Sequence, residues 1–254
     1  IAKSSFETNE FENSIVYFKR ALKIEPNGYE IMHSMGNSYL QIGDINNAKK
    51  CYEKVISINS TYAKSLTMLG VVFTSEGNTK EALSFFIKAT EYDPKLPAAW
   101  NNLAGYYTSL DDLYAAEQCY RNSISNDSAN YKTYYFISIL FIKQGKLNEA
   151  VKFLRKTIEL KYDFIQAYLK LGEVLFDLGD LIEAHFIVEK AIELNPNIFD
   201  LYFLISRILV SQKKFIEAEK SMFKGIDLKC DFAPSYVLLG SIFKELGKSQ
   251  EAEQ

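Results

Sequence analysis

The chain has 254 residues, 48% hydrophobic, 14% aromatic and 24% charged, with a net charge of −3. That composition supports a sizeable buried core and excludes a disordered chain, a collagen and a disulfide-built miniprotein. The slight acidity, with 25 Lys and only 4 Arg, argues against a nucleic-acid partner, because Arg is the better bidentate reader of phosphate and base edges.

Along the chain a small residue recurs every 34 positions, at Ser14, Ala48, Ala82, Ala116, Ala150, Ala184, Ala218 and Ala252. No insertion or deletion breaks this register. Six full units follow, 29–62, 63–96, 97–130, 131–164, 165–198 and 199–232, flanked by partial units 1–28 and 233–254. Each full unit is expected to form two helices. The first covers roughly its opening 14 residues; in 63–96 its apolar set is Leu66, Leu69, Gly70 and Phe73, and in 165–198 it is Tyr168, Leu171, Gly172 and Leu175, both at helical spacing. A turn comes next, at Gly43, Gly77, Gly145, Gly179 and Gly247, where a helix can end on a left-handed residue. Asn9, Asp111 and Lys213 take that place in the other units, and Lys213 is expected to mark a slightly different turn. The second helix opens on acids that suit its positive dipole end, among them Glu81, Glu149, Glu183 and Glu217. So short a connection forces an antiparallel helical hairpin.

Two small positions per unit let the paired helices approach closely. The first helices carry Gly36, Gly70, Ala104, Ser138, Gly172, Ser206 and Gly240; the second carry the alanine series. Tyr39, Phe73, Tyr107 and Phe141 on first helices, and Tyr52, Phe86, Tyr120 and Leu154 on second helices, are expected to fill the space beside them.

These residues resemble the tetratricopeptide repeat. Residues 63–96 match its motif with Leu66, Leu69, Gly70, Phe73, Ala82, Phe86, Ala89 and Pro94, and 97–130 with Trp100, Leu103, Ala104, Tyr107, Ala116 and Tyr120. The resemblance covers the whole chain. The unit-end proline is kept at Pro26, Pro94 and Pro196 but replaced by Ser60, Ser128, Tyr162 and Cys230. It implies an all-α fold, a single α-solenoid over 1–254 wound as a right-handed superhelix, with first helices lining a concave groove. It also implies a non-catalytic scaffold that binds a protein or peptide there. RNA-reading helical repeats run one residue longer and find little support in so few arginines.

On that frame the groove is expected to be polar in its first half, with His33, Ser34, Asn37, Thr67, Asn101 and Asn102. In its second half it turns apolar around Tyr135, Phe136, Ile139, Phe176 and Phe203, with Leu204 beside them and Lys170 and Arg207 interspersed. The helix over 132–143 is apolar almost all round, a pattern normally buried on every side. Tyr135, Phe136, Ile139 and Phe203 therefore have two readings, a peptide-binding patch or a filling between neighbouring repeats. Some chaperone-binding members hold a terminal carboxylate with five spaced residues. Here Asn102 and Lys132 occupy two of those places, while Thr67, Val71 and Phe136 occupy the others and cannot hold a carboxylate.

No catalytic, cofactor or metal site is expected. His33 and His185 lie on different helices four repeats apart. Cys51, Cys119 and Cys230 are too separated to pair and suit reduced thiols in the cytoplasm. The longest uncharged apolar run, 133–142, is too short to span a bilayer. Two alternatives to a plain scaffold remain at this stage. One is a substrate-recruiting arm of a larger enzyme, such as a glycosyltransferase-like transferase. The other is end-to-end self-association through uncapped repeat faces.

Overall fold

The computed structural model describes residues 2–248. Among them are fourteen helices and no strand, arranged as helical hairpins in two compact units, Ile1–Ser128 and Ala129–Gln254. The first unit holds α1 (Ala2–Ile24), α2 (Tyr29–Gln41), α3 (Ile45–Ile58), α4 (Ala63–Ser75), α5 (Thr79–Tyr92), α6 (Pro97–Ser109) and α7 (Leu113–Asn126). The second holds α8 (Tyr131–Lys143), α9 (Leu147–Leu160), α10 (Ile165–Asp177), α11 (Leu181–Leu194), α12 (Phe199–Ser211), α13 (Phe215–Leu228) and α14 (Ala233–Glu245). From α2 onward, even-numbered helices are the first helices of their repeats and odd-numbered ones the second. Each of α2 to α13 pairs most extensively with its hairpin partner. Within each unit neighbouring first helices also touch, α4 with α6, α10 with α12 and α12 with α14, whereas no two second helices pack comparably. At these places the first helices lie side by side.

The close approach inside each hairpin is visible at the small positions. A Cβ added at Gly36 would lie 2.6 Å from Tyr52 Cε1, and one at Gly172 would lie 2.5 Å from Val188 Cγ2. At Gly70 it would run into the Phe86 ring. Ala48, Ala82, Ala116, Ala150, Ala184 and Ala218 are fully buried opposite. Ala252 lies outside the described residues, as does the second helix that would face Gly240. Around these contacts the second unit builds one large core containing Leu171, Leu201, Ile208, Met222 and Ile242. The first unit is held by smaller clusters, one around Tyr52, Leu69 and Val72 and another around Leu66, Ala89 and Ala99.

The turns follow one geometry. Gly43, Gly77, Gly145, Gly179 and Gly247 have φ between 71° and 81°, and Asp111 and Lys213 join them at 63° and 61°. Lys213 thus makes the same turn as the glycines, contrary to the sequence expectation. Its N–H donates to Val210 O and that of Lys214 to Leu209 O, both at 2.9 Å, the same pair of bonds that Gly179 and Asp180 make to Phe176 and Leu175. Closure of the hairpin imposes this conformation on a lysine, at an energetic cost that glycine does not carry. At Asn9 the expected turn is absent, because α1 runs unbroken from Ala2 to Ile24. Asparagine tolerates a left-handed turn without requiring one, and its cost inside a helix is modest.

Asp44, Asp112 and Asp180, directly after the left-handed residue, cap the following helix by accepting the N–H of Asn47, Ala115 and Glu183 at 3.0–3.2 Å. The loops between repeats are tied down by large side chains. Trp100 Nε1 donates to Pro94 O at 2.7 Å, and at the equivalent place four repeats on, Tyr236 Oη donates to Cys230 O at 2.8 Å.

Candidate functional site

In the first unit the inner side is largely occupied with itself. The ring nitrogens of His33 on α2 lie 2.9 Å from Ser65 Oγ on α4 and 3.3 Å from Asn37 Nδ2. Asn37 Oδ1 in turn accepts the Tyr52 hydroxyl of α3 at 2.7 Å. Asn37 is therefore a bridge inside the hairpin as much as a surface group. His33 stands edge-on to Tyr62 at 5.4 Å, and burial, helped by the Lys64 charge, lowers its pKa to about 4. Asn102 Nδ2 donates back to Ala98 O at 2.8 Å along its own helix, and Asn101 is half-buried. Thr67, expected on the groove, is buried, and its hydroxyl donates to Ala63 O of its own helix at 2.8 Å.

The second unit presents an apolar stripe with charges set into it. On α8, Phe136 is 42% exposed, with Tyr135 and Ile139 half-buried beside it. The α8 helix is thus not enclosed on every side as its composition suggested. The Tyr135 ring packs on Phe164 at 5.1 Å and on Phe136 at 6.0 Å, and burial raises its hydroxyl pKa. Next along the face, Lys170 Nζ on α10 pairs with Glu173 Oε2 at 2.7 Å. That carboxylate raises the Lys170 pKa, and Tyr135 and Asp200 of the two flanking helices act in the same direction. One helix further, the Arg207 guanidinium of α12 lies over the ring of Phe176 of α10, its carbon 4.6 Å from the ring centre. Among the described residues Arg207 has no hydrogen-bond or ion-pair partner.

Two groove candidates belong partly or wholly to the core. Phe203 is half-buried, stacked on Phe199 at 5.9 Å and edge-on to Phe232 at 5.4 Å. Leu204 is buried outright, and its Cδ2 occupies space that the missing side chain of Gly172 leaves open on the preceding first helix. The structure therefore carries Tyr135, Phe136, Ile139, Lys170, Phe176 and Arg207 on successive first helices of the second unit, with Tyr135 acting on Lys170 and Phe176 under Arg207. It sets Asn37, Asn101 and Asn102 apart in the first.

Sequence reasoning missed an apolar stripe on the second helices of the same unit. Ile182 is 84% exposed, with Phe186 one turn on and Ile216 at the equivalent place in the next repeat. The i, i+4 spacing of Ile182 and Phe186 on the face opposite Ala184 and Val188 was the available signal. Cys51 and Cys119 are buried, which pushes both thiols up to about 11, and Cys230 is exposed. Among the described residues no helix is long and apolar enough to cross a membrane.

The fold recurs among solved proteins. A chain of the APC/C hetero-tetramer Cut9–Hcn1 is one such neighbour at a TM-score of 0.73 and 13% identity, covering 93% of this chain and 46% of the other. YrrB, described as a TPR protein with an unusual peptide-binding site, follows at 0.63 and 20% identity, covering 77% and 99%. At such identities the likeness concerns the fold alone. By sequence, the BBS4 homologue of the Drosophila melanogaster BBSome complex is 24% identical over 164 residues, 64% of this chain and 34% of the relative. The chain spans about a third of the length of the first curated relatives it matches. Residues 233–254 match the tetratricopeptide repeat itself. Residues 2–231, which contain all of the described hairpins except the α14 end, match one family throughout, so the repeat array as a whole belongs to the family of the cilia and flagella-associated protein 70 C-terminal domain.

Proposed function

We propose that this chain is a non-catalytic protein-interaction scaffold whose second unit takes an extended peptide segment across its inner, first-helix side. The observation that carries the reading is the stripe from Phe136 to Arg207, an exposed ring among half-buried apolar neighbours, ending in an arginine with no acidic partner among the described residues. Fully burying an aromatic side chain contributes about 1.5–3 kcal/mol, so partly exposed Phe136 supplies a fraction of a peptide's anchoring and its half-buried neighbours Tyr135 and Ile139 add to it. The likeness to YrrB, described by its peptide-binding site, and to a BBSome complex member supports a role in binding other proteins. Membership of a cilia and flagella-associated family supports a place among ciliary or flagellar assemblies, with the chain itself on the cytoplasmic side. A scaffold also fits the thiols, since Cys51 and Cys119 are held far above the range of a reactive thiolate.

The test is selection of random twelve-residue peptides displayed on phage against the purified chain, repeated on two double variants. Phe136→Ser with Ile139→Ser is expected to remove the selected binders while helicity is retained. Ile182→Ser with Phe186→Ser, on the opposite side of the same unit, is expected to leave them. The reverse pattern refutes the inner side as the binding surface.

A further inference from the structure

Arg207 differs from Lys170, the cation on the neighbouring first helix. Lys170 is tied to Glu173 at 2.7 Å, so that carboxylate is already engaged. Arg207 sits over the Phe176 ring at 4.6 Å and offers its donors to no acid among the described residues. A guanidinium already held over a ring has less freedom to lose when a carboxylate docks on its outward donors, where two parallel hydrogen bonds can form. The half-buried setting excludes part of the water that would otherwise compete for it.

We infer that the peptide taken up by the second unit carries an aspartate or glutamate whose side chain pairs with Arg207, separated by about five or six residues from an apolar side chain seated on Phe136 and Ile139. The inference rests on the peptide-binding reading above. The spacing comes from the architecture: α8 and α12 are two first-helix steps apart, each step is roughly 8–10 Å, and an extended chain advances about 3.3 Å per residue. The acid is assigned to a side chain rather than to a chain terminus because the face continues beyond Arg207. The next first helix, α14, touches α12 and presents Val237, an exposed residue over which the peptide can run on. A terminal carboxylate would also need several donors converging on it, and the neighbouring Lys170 is spent on Glu173.

The displayed library tests this directly, because peptides fused through their C-terminus to the coat protein have no free terminal carboxylate. The selected pool is expected to show Asp or Glu about five or six positions from Leu, Ile, Phe or Tyr. A synthetic, C-terminally amidated peptide from that pool is then titrated by fluorescence anisotropy. Replacing its acid by Asn or Gln, or Arg207→Gln in the protein, is expected to weaken binding roughly ten- to hundredfold, and combining the two to add little. Arg207→Lys, which keeps the charge but not the planar fork, is expected to fall between, and it covers the case that Arg207→Gln disturbs folding. Pools without an acid, insensitive to Arg207→Gln but lost in the Phe136→Ser, Ile139→Ser variant, overturn the inference and leave the groove reading standing. A library without binders, or with binders indifferent to both sets of variants, overturns the two together.

Discussion

The hairpin account makes a sharp prediction about two glycines of the first unit. Gly70 and Gly105 both sit inside first helices, on α4 and α6, so replacement by alanine gains the same helix propensity, about 1 kcal/mol. They differ in what the new methyl meets. At Gly105 nothing lies within 4 Å, and at Gly70 three atoms of the Phe86 ring lie within 3 Å. Phe86 is buried and cannot swing away into solvent. Overpacking of this kind costs about 1–3 kcal/mol. Gly105→Ala should therefore stabilise the unit by about 1 kcal/mol, whereas Gly70→Ala should range from neutral to destabilising by about 2 kcal/mol. In the Gly70→Ala background, Phe86→Leu should cost less than it does alone, because it removes the obstructing ring. Urea unfolding followed by far-UV circular dichroism reads all of these. If Gly70→Ala stabilises as much as Gly105→Ala, the small-residue positions are not what sets helix separation, and the packing argument fails.

Lys213→Gly should stabilise the second unit by about 1 kcal/mol in the same assay, since it relieves a left-handed lysine; an unchanged or lower stability refutes the strain assigned to that turn. His33 gives a pH signature: its folded pKa of about 4 lies below the unfolded value of 6.5, so its contribution is complete above about pH 6.5 and is lost as pH falls toward 4. For a partly solvated imidazole that loss is on the order of 1–2 kcal/mol, and His33→Gln should flatten the stability profile across that window. Under native conditions a thiol reagent should modify Cys230 quickly and leave Cys51 and Cys119 protected until unfolding; fast reaction of all three contradicts their burial.

The hairpins were legible because the repeat imposes the same constraint at equivalent places. Helix separation demands a small residue at Gly36, Gly70 and Gly172, and turn closure demands a left-handed one at Gly43 or Gly179. Lys213 escaped this reasoning because closure of the hairpin overrides the preference of a single residue. The binding surface was less legible, since it depends on how neighbouring helices lean together. Leu204 occupies a position assigned to the groove, yet it sinks into the space over Gly172, and Thr67 is buried too. Phe203 is drawn into a ring cluster by Phe232, which sits in a loop a whole repeat away. Conversely, Ile182 and Phe186 are exposed on a second helix, a side on which no binding residues are expected from the sequence.

The most direct measurement of the central claim is hydroxyl-radical footprinting of the chain with and without a peptide selected from the library. Protection is expected at Phe136, Ile139 and Phe176 on the inner side of the second unit, with Ile182, Phe186 and Ile216 reacting as before. Protection confined to Ile182, Phe186 and Ile216 would place recognition on the second helices and contradict the account.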